Sequence, residues 1–453
     1  MEKTHNKLND DRTGKLLINL SAPAMLGMFA NALYNITDTI FIGRGIGALG
    51  IGAMTIVLPI VGISNSFAHM VGSGSASIFS RSLGARKYDE LNTIAGNSLM
   101  LIVLISLFFS IMGSIFTTPV LRFFGATKNI LPYATDYARI IFITMLWFPF
   151  CVTSGNLLRA EGNAKEAMKA MLLGLSVNTL LDYVFIFPLD MGMKGAALAT
   201  AAGMGANFLY QFFYFHSSKT ILNLKLKHFK LQKKLIKEMT SIGLSGLGMR
   251  SSGSISVLIL NHTLARLGGD MAIAIFGVIY RVALFIVMPL NGLSQGMQPI
   301  VGYNAGAQNP KRIEKTIRLG LLYALGIGLF FVAISEWFAS PLFALFTGKE
   351  NMIHEGIPAL RIVLSMMWLA GIPIAILGIH QALGLKKSAF FLAIMRWLLL
   401  IVPISFLLPV FFETPINGIW WAFPIADFLG TFIALGILLR TLYLHGIIHK
   451  KII

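Results

Sequence analysis

Two carboxylates lie deep in apolar sequence, where they are expensive to keep. Asp182 sits in the run LLGLSVNTLLDYVFIF (172–187), one helical turn after Asn178, so amide and carboxylate share a helix face. Asp38 sits in the run SAPAMLGMFANALYNITDTIFIG (21–43), with Asn35 just before it. Thr200 belongs to the small-residue stretch GAALATAAG (195–203), which lets helices approach closely. The five residues offer carboxylate, amide and hydroxyl oxygens, a set that suits either a hard cation or a proton shared between acids. An acid near mid-bilayer costs about 2.5–3.5 kcal/mol on insertion scales, so two in one half of a chain favour a working role over mere ties between helices. Burial disfavours the charged form of a carboxyl, and a second acid nearby disfavours it further. Such a pair can load a proton from an acidic exterior and release it inside.

Other residues carry weaker chemistry. Arg250, Arg281, Arg396 and Asp427 are the charges inside apolar runs of the second half. An Arg396–Asp427 ion pair between the last two runs is the simplest reading, and a role toward substrate or proton is the other. Pro23 lies fifteen residues before Asp38 in the same run. A membrane helix kinks at proline, and the kink is either fixed or a hinge whose bend depends on Asp38 protonation. VGSGSAS (71–77) lacks the lysine and strand of a phosphate loop and reads as helix packing. Nine histidines without paired-ligand spacing argue against a metal enzyme, and the lone Cys151 leaves no internal disulfide.

The elements that must hold these residues follow from composition. The chain has 453 residues, 56% hydrophobic and only 12% charged, with mean hydropathy +0.74. Soluble proteins carry about 25% charged residues, so these values describe a polytopic membrane protein. The apolar runs are about 20 residues long without period-two alternation, which selects helices over a β-barrel. About twelve spans are expected, the first near 16–42, the sixth near 194–215, the seventh near 239–265 and the last near 418–441. The net charge of +18 falls in the short connections, not on a soluble basic domain, so no nucleic-acid partner is expected. Lysines and arginines alternate between poor and rich connections. By the positive-inside rule both termini and the central linker, with its seven lysines, face the cytoplasm. Residues 1–15 are polar and charged, so no cleavable signal peptide is expected ahead of the first span.

The two halves echo each other. SRSLGARK (80–87) matches YNAGAQNP (303–310) and LRAEGNAK (158–165) matches HQALGLKK (380–387), both at an offset of 222 residues. KGAALA (194–199) matches NGIWWA (417–422) at 223. The expected organisation is an N-terminal six-helix lobe (1–216), a basic linker (217–237) and a C-terminal six-helix lobe (238–453). The lobes would be parallel repeats related by a pseudo-two-fold axis along the membrane normal. Repeated bundles of this kind are the architecture of alternating access, which points to a carrier.

Taken together, Pro23 and Asp38, SRSLGARK, LLRAEGNAK, Asn178 and Asp182 in N-x-x-x-D, and GAALAT resemble the multidrug and toxic compound extrusion (MATE) family over nearly the whole chain. Within it the sequence is most similar to the DinF and staphylococcal-type efflux branch. The resemblance implies export of amphipathic, often cationic compounds in exchange for H⁺ or Na⁺. It implies a cation site at Asp38, Asn178, Asp182 and Thr200, with Asn156 a further candidate. Other branches carry acids in spans seven and ten. Here span seven reads SGLGMRSSGS and span ten IVLSMMWLAGIPIAI, without an acid, so the resemblance implies coupling through the first half.

The expected protein is thus a non-enzymatic, multi-pass carrier of the cytoplasmic (inner) membrane, working as a monomer. Its partners are small amphipathic molecules and membrane lipid, and it needs no cofactor beyond the coupling ion. A flippase for a lipid-linked precursor or polar lipid is the rival. Arg250, Arg281 and Arg396 could serve a pyrophosphate, but Asp38 and Asp182 would repel it. A membrane-embedded enzyme would need a nucleophile–base or metal cluster, and the sequence offers none.

Overall fold

Long apolar runs with few breakers become helices, because a bilayer leaves every backbone polar group to be satisfied within its own segment. The computed structural model describes residues 8–10, 12–344 and 350–447, and among these the regular elements are all helical. The first half comprises α1 (Thr13–Gly45), α2 (Ala48–Gly84), α3 (Tyr88–Ile115), the short α4 (Thr117–Phe123), α5 (Leu131–Thr144), α6 (Phe148–Ala160), α7 (Ala164–Ile186) and α8 (Gly192–Phe215). A single 3-10 turn, Leu226–Phe229, precedes α9 (Lys233–Gly306). The second half continues with α10 (Pro310–Trp337), α11 (Ala339–Ala344), α12 (Glu350–Leu364), α13 (Gly371–Ala382), α14 (Lys386–Ile394), α15 (Val402–Leu407) and α16 (Pro415–Leu444). A π-helical stretch, Met395–Ile401, joins α14 to α15.

Nine of the described helices are long and apolar enough to cross a bilayer. The pair α5 and α6, bent by 42°, makes a tenth. The 74 residues of α9 are broken at Gly269, where φ is 62° and ψ −158°, so α9 holds two spans. Gly268-Gly269 supplies the backbone freedom for that break. The Gly/Ala-rich α8 falls below the hydropathy of its neighbours and completes the expected twelve. The all-α, twelve-span class read from the sequence is borne out.

The repeat is visible in the backbone. Gly162 and Gly384 close equivalent helices with φ of 87° and 75°, the left-handed geometry that a glycine after a helix end supplies. Arg86 and Gln308, again 222 apart, both adopt left-handed φ of 58° and 53°. Side-chain contacts repeat as well: Gly72 leaves room for Asn156, and at the equivalent positions Gly378 leaves room for Ser294.

Two compact units emerge, with boundaries that differ from the expected lobes. Unit 1 comprises residues 1–9 and 26–243, and unit 2 comprises 10–25 and 244–453. The first and seventh spans therefore each divide. In unit 2 the backbone of α1 at Ser21 and Met25 lies directly on Gly296 and Gly292, and the Ser21 hydroxyl donates to the Leu293 carbonyl at 3.4 Å. In unit 1 the start of α9, at Met239 and Gly243, lies directly on Gly74 and Met70 of α2. Positions 70 and 74 are the 222-residue equivalents of 292 and 296, so one crossing is made twice. Glycine explains it: a Cβ at any of these four glycines would strike backbone or side-chain atoms of the opposing segment. The GSGS motif is thus a packing surface, as its composition implied.

Candidate functional site

The site is assembled in unit 1 from α1, α5, α7 and α8. Helices α7 and α8 pack with their backbones in near contact at Gly174 and Gly203. A Cβ at Gly203 would lie 2.6 Å from both the Asn178 Cβ and the Gly174 carbonyl oxygen. That approach sets Asn178 and Asp182 on α7 beside Thr200, one turn before Gly203 on α8. From α1, Tyr34 donates its hydroxyl to Thr200 Oγ1 at 3.2 Å, and Asp38 follows one turn later on the same face. Asp38 and Asp182 are near enough to interact electrostatically, and Tyr34 and the buried Tyr137 of α5 feel both charges. An apolar cluster that includes Ile42, Phe142, Ile186 and Ala196 surrounds Tyr137.

These polar groups are shut away from solvent. Asp38 is 1% exposed, Asn178 and Asp182 0%, and Thr200 3%. Both carboxylate oxygens of each acid, and both amide atoms of Asn178, lack a hydrogen-bond partner among the described residues. Asn178 and Asp182 are one turn apart, yet neither bonds the other with ordinary geometry. A buried, unpaired carboxylate is costly enough that it must be neutralised by a proton or met by a cation. Four carboxylate oxygens, an amide oxygen and the Thr200 hydroxyl form a hard-oxygen set that fits Na⁺ and equally fits protons.

The remaining sequence candidates separate. The side chain of Asn35 lies outside the described residues. Asn156 is buried but engaged elsewhere: its Nδ2 donates to the Val152 carbonyl at 2.8 Å and its Oδ1 accepts from Arg159 Nη2 at 3.3 Å. Pro23 is buried within the part of α1 that belongs to unit 2, two residues before that part ends at Met25. In unit 2, Arg396 and Asp427 form a two-pronged ion pair, Nε to Oδ1 at 2.5 Å and Nη2 to Oδ2 at 3.1 Å. This is the simpler of the two readings of those charges. Arg250 and Arg281 are exposed on unit 2, have partners of their own, and do not join that pair among the described residues. Sequence reasoning missed Tyr34 and Tyr137. Tyr34 stands four residues before Asp38 and was within reach of the helical spacing; Tyr137 comes from a distant helix and left no local signal.

An all-helical membrane protein of two six-span repeats, with a buried cluster of unpaired oxygens in the first unit, is the class that fold and site define. The MatE family model matches residues 23–184 and 249–407, one stretch in each half, and the chain belongs to this family. The chain is 27% identical over 426 residues to the multidrug export protein MepA of Staphylococcus haemolyticus (strain JCSC1435), across 93% of this chain and 92% of that one. It is similar to a structure of the MATE multidrug transporter DinF-BH in complex with a small molecule, with 37% identity, a TM-score of 0.87 and coverage of 94% and 96%. It is also similar to a MATE crystal structure in the bent conformation, with 26% identity, a TM-score of 0.90 and 97% coverage of each chain. The family read from the motifs is borne out.

Proposed function

We propose that the chain is a secondary active exporter of amphipathic, often cationic compounds, driven by H⁺ or Na⁺ entering through the Asp38–Asp182 site. The observation that carries this reading is the pair of buried acids whose oxygens have no partner. Such a site is stable only when it holds positive charge, so loading and unloading it change the energy of the helices that form it. The similar DinF-BH structure is that of a multidrug transporter in complex, and the MepA relatives are named as multidrug exporters, which supports a substrate of that kind.

Coupling would run through α1. Pro23 has no N–H for the Asn19 carbonyl, which leaves that turn soft. Asp38 stands about 22 Å further along the same helix. When Asp38 is neutral, the second half of α1 can press against apolar neighbours; when it is charged, that burial becomes costly. The charge state thus biases two arrangements of α1, which is what alternating access requires. The chain would act as a monomer in the cytoplasmic membrane, with both termini inside and no cofactor beyond the coupling ion.

The flippase reading has lost footing. It needs free basic groups for a phosphate, yet Arg396 is held by Asp427 and the other two arginines have partners. The test is drug accumulation in cells that express wild type, Asp38→Asn or Asp182→Asn at matched membrane levels. Both variants are expected to accumulate the compound as empty cells do; near-normal export by both would sink the coupling site.

A further inference from the structure

The segment after α8 carries Lys219, Lys225, Lys227 and Lys230, and α9 opens with Lys233, Lys234 and Lys237. The first four precede α9, yet the chain that holds them is not a loose tether. Asn97 of α3 accepts the Gln232 backbone N–H at 2.7 Å and donates Nδ2 to the carbonyls of His228 and Lys230 at 3.1 Å each. Asn92 accepts the Asn223 N–H at 2.7 Å, and Glu161 accepts that of Ile221 at 2.5 Å. Gly96 has no side chain to keep the His228 backbone away. Asn97 itself is fully buried beneath the segment.

These staples set its height. Asn97 is nine residues into α3, about 13 Å along the helix from its start at Tyr88. From Leu99 onward α3 is the unbroken apolar run LMLIVLISLFF. The 3-10 turn Leu226–Phe229 is therefore held beside α3 where its sequence changes from polar to hydrocarbon. On that turn Leu226 is 93% exposed, flanked by the exposed Lys225 and Lys227. The seven lysines are all exposed, and none forms an ion pair among the described residues. A fixed apolar tip ringed by ammonium groups at this height matches a membrane interface: acyl boundary for the leucine, phosphate for the lysines.

We propose that Leu226 with Lys225, Lys227 and Lys230 forms a docking surface for the anionic phospholipid headgroups of the adjacent leaflet. The lipid clamps the linker, and with it the first turn of α9, down on α3. This inference rests on the membrane placement of the spans and is independent of what the protein exports.

The test uses the full chain with Leu226→Cys carrying an environment-sensitive dye, which is selective because Cys151 is buried. The protein is reconstituted into vesicles of phosphatidylcholine alone or with phosphatidylglycerol, and quenching by headgroup-proximal spin-labelled lipid is compared with quenching by aqueous iodide. Phosphatidylglycerol is expected to raise lipid quenching and lower iodide quenching several-fold. Adding Lys225→Gln, Lys227→Gln and Lys230→Gln is expected to abolish that dependence, while the size-exclusion profile and iodide access in neutral vesicles stay those of the singly labelled protein. Equal iodide access in both lipids, or a dependence that survives the three substitutions, would overturn the proposal. Shielding in neutral vesicles by inorganic phosphate or by an acidic peptide would assign the surface to a soluble anion and overturn it too.

Discussion

Replacing Gly203 by alanine places one methyl group where α7 and α8 have no room for it. The new Cβ would stand 2.6 Å from the Asn178 Cβ and the Gly174 carbonyl oxygen. Ordinary contact begins near 3.4 Å, so the helices must part by at least about 0.8 Å, and overpacking of this kind costs about 1–3 kcal/mol. Gly205, on the same helix, has nothing within 4 Å of the corresponding position and gives a matched control. Both substitutions gain the same helix propensity, about 1 kcal/mol. Their difference therefore isolates the overpacking, roughly a five- to hundred-fold change in the unfolding equilibrium. A retreat of α8 by that amount also breaks the 3.2 Å bond from Tyr34 to Thr200. Reversible denaturation in mixed micelles, with transport in proteoliposomes, measures both effects. Gly205→Ala should match or exceed wild type in stability and transport normally, whereas Gly203→Ala should lose both. Indistinguishable variants would show that close approach of α7 and α8 does not build the site.

Pro23→Ala restores an N–H to α1 and stiffens its soft turn, so the maximal transport rate should fall while substrate affinity changes little; an unchanged rate would leave the proline without a part in turnover. Arg396→Leu strands the Asp427 carboxylate, 1% exposed, and should cost about 3–5 kcal/mol in stability. The double variant with Asp427→Leu should recover most of that loss, and a double-mutant cycle with simple additivity would mean that the two charges do not depend on each other.

Much of this was legible in the sequence because the informative features are local or repeated. The N-x-x-x-D spacing put Asn178 and Asp182 on one face, and the 222-residue offset foretold the paired left-handed turns at Gly162 and Gly384. The Arg396–Asp427 pair was the simplest way to hold two charges in apolar helices. The division of the first and seventh spans between units was not legible, since it depends on which distant backbone meets Gly74, Gly243, Gly292 and Gly296. Tyr137 reaches the acids only through tertiary packing. Asn156, chosen by resemblance, turned out to be committed to Arg159, a contact one turn along its own helix.

The central claim is that the oxygens of Asp38 and Asp182 carry the driving ion. Its most direct test is efflux of a fluorescent cation from proteoliposomes with a pH gradient and a sodium gradient imposed separately, wild type beside Asp38→Asn. The account predicts export by wild type under at least one gradient and none by the variant under either. Gradient-driven export by Asp38→Asn at the wild-type rate would contradict it.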